Sequence, residues 1–134
     1  MRQWLAIGTP ESWTLCLEGN NVWGFSPRYQ KTWESLKVGD TVFCYSTRPV
    51  ARVIGYCTVI SKQRDATPLF PLETRQMKAL WPLRVSLAPK KVIPRRDWRG
   101  RGVALERKGI TFQRALQRLP EWKAGQILRA LDRA

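Results

Sequence analysis

Thr41-Val42-Phe43-Cys44-Tyr45-Ser46 and, beyond a polar loop holding Pro49, Arg52-Val53-Ile54-Gly55-Tyr56-Cys57-Thr58-Val59-Ile60-Ser61 form the stretch on which the fold turns. Both runs are rich in β-branched and aromatic residues, and the short loop between them predicts an antiparallel hairpin. In 41–46 apolar residues occupy both strand faces, so both faces should be covered. Gly55 marks a bulge or a close approach of another backbone. Upstream, Lys37-Val38-Gly39-Asp40 reads as the turn that feeds the hairpin, with Asp40 capping or bonding backbone. Downstream, Trp81 to Leu87 reads as a third strand.

Towards the N-terminus, Gln3 to Ile7 is a short apolar strand ended by Gly8. Thr9-Pro10-Glu11 then supplies an N-cap, an N1 proline and a first-turn acid, which predicts a helix through Leu15 and Leu17 closed by Glu18-Gly19-Asn20. Asn21 to Gly24 runs extended. Ser26-Pro27 repeats the cap-then-proline signal before Tyr29, Trp33 and Leu36 at helical spacing, with Arg28 and Lys31 facing solvent. Towards the C-terminus, 62–79 reads as a loop with an apolar island, Leu69-Phe70-Pro71-Leu72. Pro89 to Arg101 reads as a basic connection. Gly109-Ile110-Thr111 precedes a predicted helix holding Phe112, Ala115, Leu116 and Leu119. Pro120 opens a last helix with Trp122, Ile127, Leu128 and Leu131 on its apolar side. The expected fold is α+β, mainly β with peripheral helices, in one domain spanning 1–134.

The 134 residues carry a formal charge of +14. Residues 1–60 hold six basic and four acidic side chains, and 61–134 hold eighteen and six, so the second half carries the field. Such asymmetry suits a polyanionic partner. Nucleic acid is preferred over a membrane surface, because no basic amphipathic helix with a broad apolar face stands out. Three cysteines, Cys16, Cys44 and Cys57, lack a C-x-x-C pairing and read as small core hydrophobes in a reducing compartment. The chain has no histidine, which excludes His-based acid–base catalysis, Ser-His-Asp and Cys-His nucleophiles, and His-containing zinc sites. No metal or cofactor site is expected. No run has the length of a membrane-spanning helix, Met1 to Leu5 lacks the apolar segment of a signal peptide, and the expected location is the cytoplasm.

The chemistry gathers around Asn21-Val22-Trp23-Gly24-Phe25-Ser26-Pro27-Arg28-Tyr29. Gly24 removes a side chain beside Trp23, so that one indole face could stay open to a flat ligand such as a nucleic-acid base, with backbone close by. The alternative is a core tryptophan. Lys90, Lys91, Arg95, Arg96, Arg99 and Arg101, interleaved with Trp98, have the composition of a surface for a single strand or a distorted duplex. The alternative there is a solvated basic loop with Trp98 tucked into the core.

In order and spacing these signals resemble the EVE domains of the PUA-like superfamily, small stand-alone archaeal and bacterial ones above all. The resemblance rests on Trp4, Trp13, Asn21-Val22-Trp23-Gly24, Pro27-Arg28-Tyr29-Gln30-Lys31-Thr32, Lys37-Val38-Gly39-Asp40 with Val42 and Tyr45, Val53-Ile54-Gly55-Tyr56, Trp81-Pro82-Leu83-Arg84-Val85 and Leu119-Pro120-Glu121. It spans nearly the whole chain. It implies a PUA-like β pseudo-barrel flanked by helices, related to YTH domains, which hold an N-methylated adenine in an aromatic cage. It also implies a base pocket in which Trp23 is the first wall, Gly24 offers backbone, and Phe70 or Trp81 supplies another wall, Phe70 being preferred. Where relatives often carry an asparagine after the first strand, this chain has Gly8-Thr9, so the Thr9 hydroxyl and backbone groups remain for a base edge.

The expected function is a non-catalytic module that binds DNA or RNA. It would hold an extruded, modified base by stacking while Arg28, Lys31, Lys90, Lys91, Arg95, Arg96, Arg99 and Arg101 contact phosphates. One alternative is an enzyme acting on a nucleotide or modified nucleoside, as in some members of the related ASCH group, although the Gly-x-Lys-x-x-Glu-x-Arg pattern of that group is absent. The other is an adaptor whose aromatics bind a protein, and an effector protein beside the domain is a further expected partner.

Overall fold

The computed structural model describes residues 1–106 and 110–134. Six strands form one sheet: β1 (Gln3–Gly8), β2 (Val22–Phe25), β3 (Thr41–Ser46), β4 (Arg52–Arg64), β5 (Leu83–Val92) and β6 (Leu116–Arg118), in the order β2-β5-β4-β3-β1-β6. Every neighbouring pair is antiparallel except β1 and β3, which run parallel with Gln3 beside Thr41 and Gly8 beside Ser46. The helices are α1 (Pro10–Glu18), α2 (Gln30–Ser35, after a 3-10 turn at Pro27–Tyr29), α3 (Pro71–Gln76), α4 (Trp98–Arg101) and α5 (Glu121–Asp132). The sheet curls into a half-barrel flanked by helices, a mixed α/β fold. No described helix is long and apolar enough to cross a membrane.

The hairpin forms as expected, and both readings of Gly55 hold. Cys44 pairs with Gly55 but Tyr45 pairs with Val53, so Ile54 is the extra residue of a bulge. A Cβ on Gly55 would also lie 2.5 Å from the Lys91 carbonyl oxygen across the β4–β5 ladder. Strand β3 is buried from Val42 to Ser46, as apolar residues on both faces required. The Lys37–Asp40 turn is held by Asp40, whose carboxylate accepts from Lys37 N (2.9 Å), Arg2 N (3.1 Å) and Trp4 Nε1 (2.9 Å). Burial pushes the Asp40 carboxyl up, but these hydrogen bonds outweigh it and hold the group below its ordinary value. Thr9 caps α1, accepting from Ser12 N at 3.1 Å, and Pro10 opens it.

Curling carries β2 round to the far side of the sheet. The Trp23 indole lies against Gly8 on β1, where an added Cβ would fall 2.3 Å from two ring carbons. Gly8 therefore does more than end a strand: only a glycine lets the barrel close on this ring.

Several expectations need correction. The third strand runs on to Val92 and includes Pro89, Lys90 and Lys91, so only 93–101 connects, partly as a 3-10 turn (Arg95–Asp97) and α4. Strand β4 runs past Ser61 to Arg64, because the start of β5 pairs with Ser61 to Arg64. The 62–79 loop contains α3. The helix expected around Phe112 to Leu119 is the short strand β6, which lines the open edge of β1; Ile7 N donates to Ala115 O and Leu119 N to Gln3 O, both at 2.9 Å. Gly109 of the turn before it lies outside the described residues. In α5 the buried residues are Lys123, Ala124, Ile127 and Leu131, whereas Trp122 (50% exposed) and Leu128 face outward. Trp98 is core, 4% exposed, with Nε1 donating to Ile93 O at 2.7 Å. All three cysteines are free and buried.

Candidate functional site

Thr9, Trp23, Gly24, Phe70 and Trp81, the five residues expected around a base, come from four separate segments and line a single cavity of about 340 Å³. That is near the lower end for small-ligand sites, roughly 300–1,000 Å³, and matches one planar group better than an extended molecule. Tyr29, Arg75 and Glu11 also line it.

The indole of Trp23 does not present an open face. Trp13, from α1, stacks on it with ring centroids 3.6 Å apart and planes 2° from parallel, and Trp23 is only 5% exposed. Trp13 is fixed in turn by its Nε1 donating to Tyr45 O at 2.8 Å. Phe70 meets Trp23 edge-on, with centroids 5.7 Å apart at 74°, and Trp81 meets Phe70 at 5.7 Å and 86°. Trp23 is thus both core and floor: one face belongs to the packed interior, and little of the ring reaches the cavity. Phe70 is equally buried, and Trp81 is the most accessible of the three aromatics. The alternatives of core and wall were not exclusive for this ring.

Gly24 also has a different reason to be glycine. A Cβ there would lie 2.7 Å from Trp81 O, 2.9 Å from Trp81 Cβ and 3.2 Å from Phe70. The backbone that approaches is the protein's own aromatic loop. The Thr9 oxygen already accepts from Ser12 N, so its hydrogen remains for donation to a ligand.

Glu73 holds this arrangement together, a role the sequence reading missed. It sits on α3, fully buried, and its Oε1 accepts from Leu69 N (2.9 Å) and Phe70 N (3.1 Å) while Oε2 accepts from Leu80 N (2.8 Å) and Trp81 N (2.9 Å). One carboxylate therefore ties together the chain on both sides of α3, and with it two aromatic walls. Arg84, 3% exposed on β5, supplies the counter-charge at 3.2 Å and also donates to Trp81 O and Thr67 O. Asp65 lies 3.6 Å away on its exposed side. Burial drives the Glu73 carboxyl up, but the backbone donors and Arg84 reverse this and hold it below its ordinary value. Pro71 at N1 and a glutamate two residues later were the signals for this helix and its anchor.

The basic residues divide. Arg28 is exposed and lies over the Tyr29 ring at 5.3 Å from its centroid, beside the cavity, and Lys31 is exposed on α2. Lys90 and Lys91 lie on β5, and Arg95, Arg96, Arg99 and Arg101 on the turn and helix beyond it; none lines the cavity. Asp97 engages Arg101 at 3.1 Å and Arg96 at 3.9 Å. Two of the acids, Asp40 and Glu73, are committed to backbone donors, and Glu11 is the carboxylate that lines the cavity among the described residues. Among those residues no cluster of three or more His, Cys, Asp or Glu gathers that could hold a metal ion.

No curated protein matches the chain in sequence. Solved structures share its fold at low identity. Rpa0253 from Rhodopseudomonas palustris aligns with a TM-score of 0.63 at 15% identity, covering 98% of this chain and 94% of its own. An ASCH protein from Zymomonas mobilis aligns at 0.64 and 15%, covering 96% and 94%. The Mmi1 YTH domain aligns at 0.65 and 10%, covering 98% and 88%. Residues 2–124 match the EVE domain as a family, and the chain belongs to that family of PUA-like domains.

Proposed function

We propose that this EVE domain is a nucleic-acid-binding module whose aromatic cavity receives one extruded base, modified by preference, while its basic surface contacts the phosphate backbone. The observation that carries this reading is the convergence of Thr9, Trp23, Gly24, Phe70 and Trp81 on one small, mostly aromatic cavity in a chain of charge +14. Trp81 and Phe70 supply the walls, the accessible part of Trp23 the floor, and the Thr9 hydroxyl a donor to a base edge. An added methyl group increases the apolar area that such walls cover, and a base already unpaired costs least to extrude. Arg28, beside the cavity, and the cations from Lys90 to Arg101 supply the field that attracts a polyanion. Recognition rather than catalysis is the reading favoured, since Asp40 and Glu73 each hold several backbone N–H groups in place. The likeness to an ASCH protein concerns fold alone.

The test is a panel of otherwise identical oligonucleotides, DNA and RNA, single and double stranded, each with and without one methylated or hydroxymethylated base. One modified member should bind at least about tenfold more tightly than its unmodified counterpart, a difference of about 1.4 kcal/mol. If no member binds at physiological salt, the proposal fails, and a protein-binding role takes its place.

A further inference from the structure

Beside the aromatic cavity lies a second concavity, of about 320 Å³, lined by Arg2, Lys31, Arg114 and Arg118 together with the hydroxyl residues Thr32 and Ser35. All four cations are exposed, no carboxylate lines the groove, and among the described residues none of the four makes a salt bridge. The cations come from the residue before β1, from α2, from the 111–115 segment and from β6. The fold assembles them; no run in the sequence does.

Position distinguishes this groove from an ordinary solvated basic face. Tyr29 and Ala115 line the aromatic cavity, and the Tyr29 hydroxyl accepts from Ala115 N at 2.9 Å. Arg114 and Leu116, the chain neighbours of Ala115, line the groove, as does Lys31, two residues beyond Tyr29. The two concavities are therefore lined by adjoining residues of the same two segments, which the Tyr29–Ala115 hydrogen bond ties together. A nucleotide whose base occupied one would carry its flanking phosphates past the other, where four cations and the Thr32 hydroxyl offer phosphate-oxygen contacts, the Ser35 hydroxyl already donating to Lys31 O.

We infer that the Arg2–Lys31–Arg114–Arg118 groove is the track for the phosphates flanking the extruded nucleotide. This rests on the cavity being a base site. Of the cations expected from the sequence, Lys31 belongs to the track. Arg2, Arg114 and Arg118 are new, and Lys90 to Arg101 lie outside it.

The experiment measures binding of an oligo(dT) strand of about ten nucleotides, with or without one central N6-methyladenine, across a salt series. It compares wild-type protein with Arg114→Gln/Arg118→Gln and with Lys90→Gln/Lys91→Gln. Unchanged thermal melts establish that both variants are folded. The Arg114→Gln/Arg118→Gln variant should flatten the slope of log affinity against log salt by about 1.4, two contacts at roughly 0.7 each on a single strand. The Lys90→Gln/Lys91→Gln variant, which weakens the general field but removes no contact along the track, should flatten that slope by less than about 0.7, the worth of a single contact. If the wild type binds but Arg114→Gln/Arg118→Gln keeps its slope, the track is refuted while the base site stands. If the wild type binds neither strand even at about 50 mM salt, the base site fails and the track with it.

Discussion

Replacing Glu73 with glutamine changes one atom at the centre of the aromatic site, and the structure states what should follow. The amide keeps one carbonyl oxygen and turns the other into a donor. Two of the four backbone N–H groups, either Leu69 and Phe70 or Leu80 and Trp81, then face an NH2 group. Each buried donor left without an acceptor costs about 1–3 kcal/mol. Arg84 also loses its buried counter-charge, and breaking such a pair costs about 3–5 kcal/mol. Its contacts to Thr67 O, Trp81 O and Asp65 survive and soften that loss. A net destabilisation of about 3–5 kcal/mol is expected, large against a total domain stability of about 5–15. Urea denaturation measures it.

The same substitution has a pH signature. Burial raises the Glu73 carboxyl, yet the backbone donors and Arg84 prevail and its folded value lies below the unfolded one. Its stabilisation is therefore fully present above an unfolded pKa of about 4.3 and is lost as pH falls through the folded value. Wild-type stability should fall more steeply below about pH 4.3 than that of Glu73→Gln, which retains only the Asp40 and Asp65 shares of the acid sensitivity. A variant within about 1 kcal/mol of wild type at pH 7, or one with an identical acid profile, would refute the role assigned to Glu73.

Gly8→Ala should lower stability by about 2–3 kcal/mol, because the new methyl overlaps the Trp23 ring and strains a packed core; a melting temperature unchanged from wild type would show that the barrel does not close there. Burial pushes the Cys16 and Cys44 thiols up, so neither should react with a thiol reagent in the folded protein. All three cysteines should react after denaturation without reductant, and fewer than three would reveal a disulfide. Trp122→Ser should change stability by less than about 0.5 kcal/mol, since the ring is half exposed; a larger loss by thermal melt would mean that the ring is packed.

Legibility in the sequence followed the kind of signal. Thr9-Pro10-Glu11 states a helix start locally, and Val42 to Tyr45 states a covered strand, because caps and β-branched runs act through near neighbours. What depends on a distant partner was hidden. Phe112, Ala115, Leu116 and Leu119 have helical spacing, yet the unpaired edge of β1 draws Leu116–Arg118 into the sheet. Lys62 to Arg64 look like loop until Leu83 to Val85 lie beside them. The residues around the cavity were legible through the family resemblance. Gly24 was read as space for a ligand and Gly8 as a strand end, when Gly24 makes room for the aromatic loop and Gly8 for Trp23. Pro71 and Glu73 state a helix start, but the anchoring role of Glu73 was hidden because two of its four backbone donors, Leu80 N and Trp81 N, lie beyond the helix and leave no periodic trace.

Trp81→Ala tests the central claim most directly. Trp23→Ala would confound folding with binding, since removing a buried indole costs about 3–5 kcal/mol, whereas Trp81 is the accessible wall. On the oligonucleotide that the wild type prefers, Trp81→Ala should lose about 1–3 kcal/mol of affinity, the worth of one stacked base. The preference for the modified base should shrink with it, and the salt slope should stay unchanged, because no phosphate contact is removed. A folded Trp81→Ala protein that binds and discriminates as the wild type does would contradict the claim that the base enters this cavity.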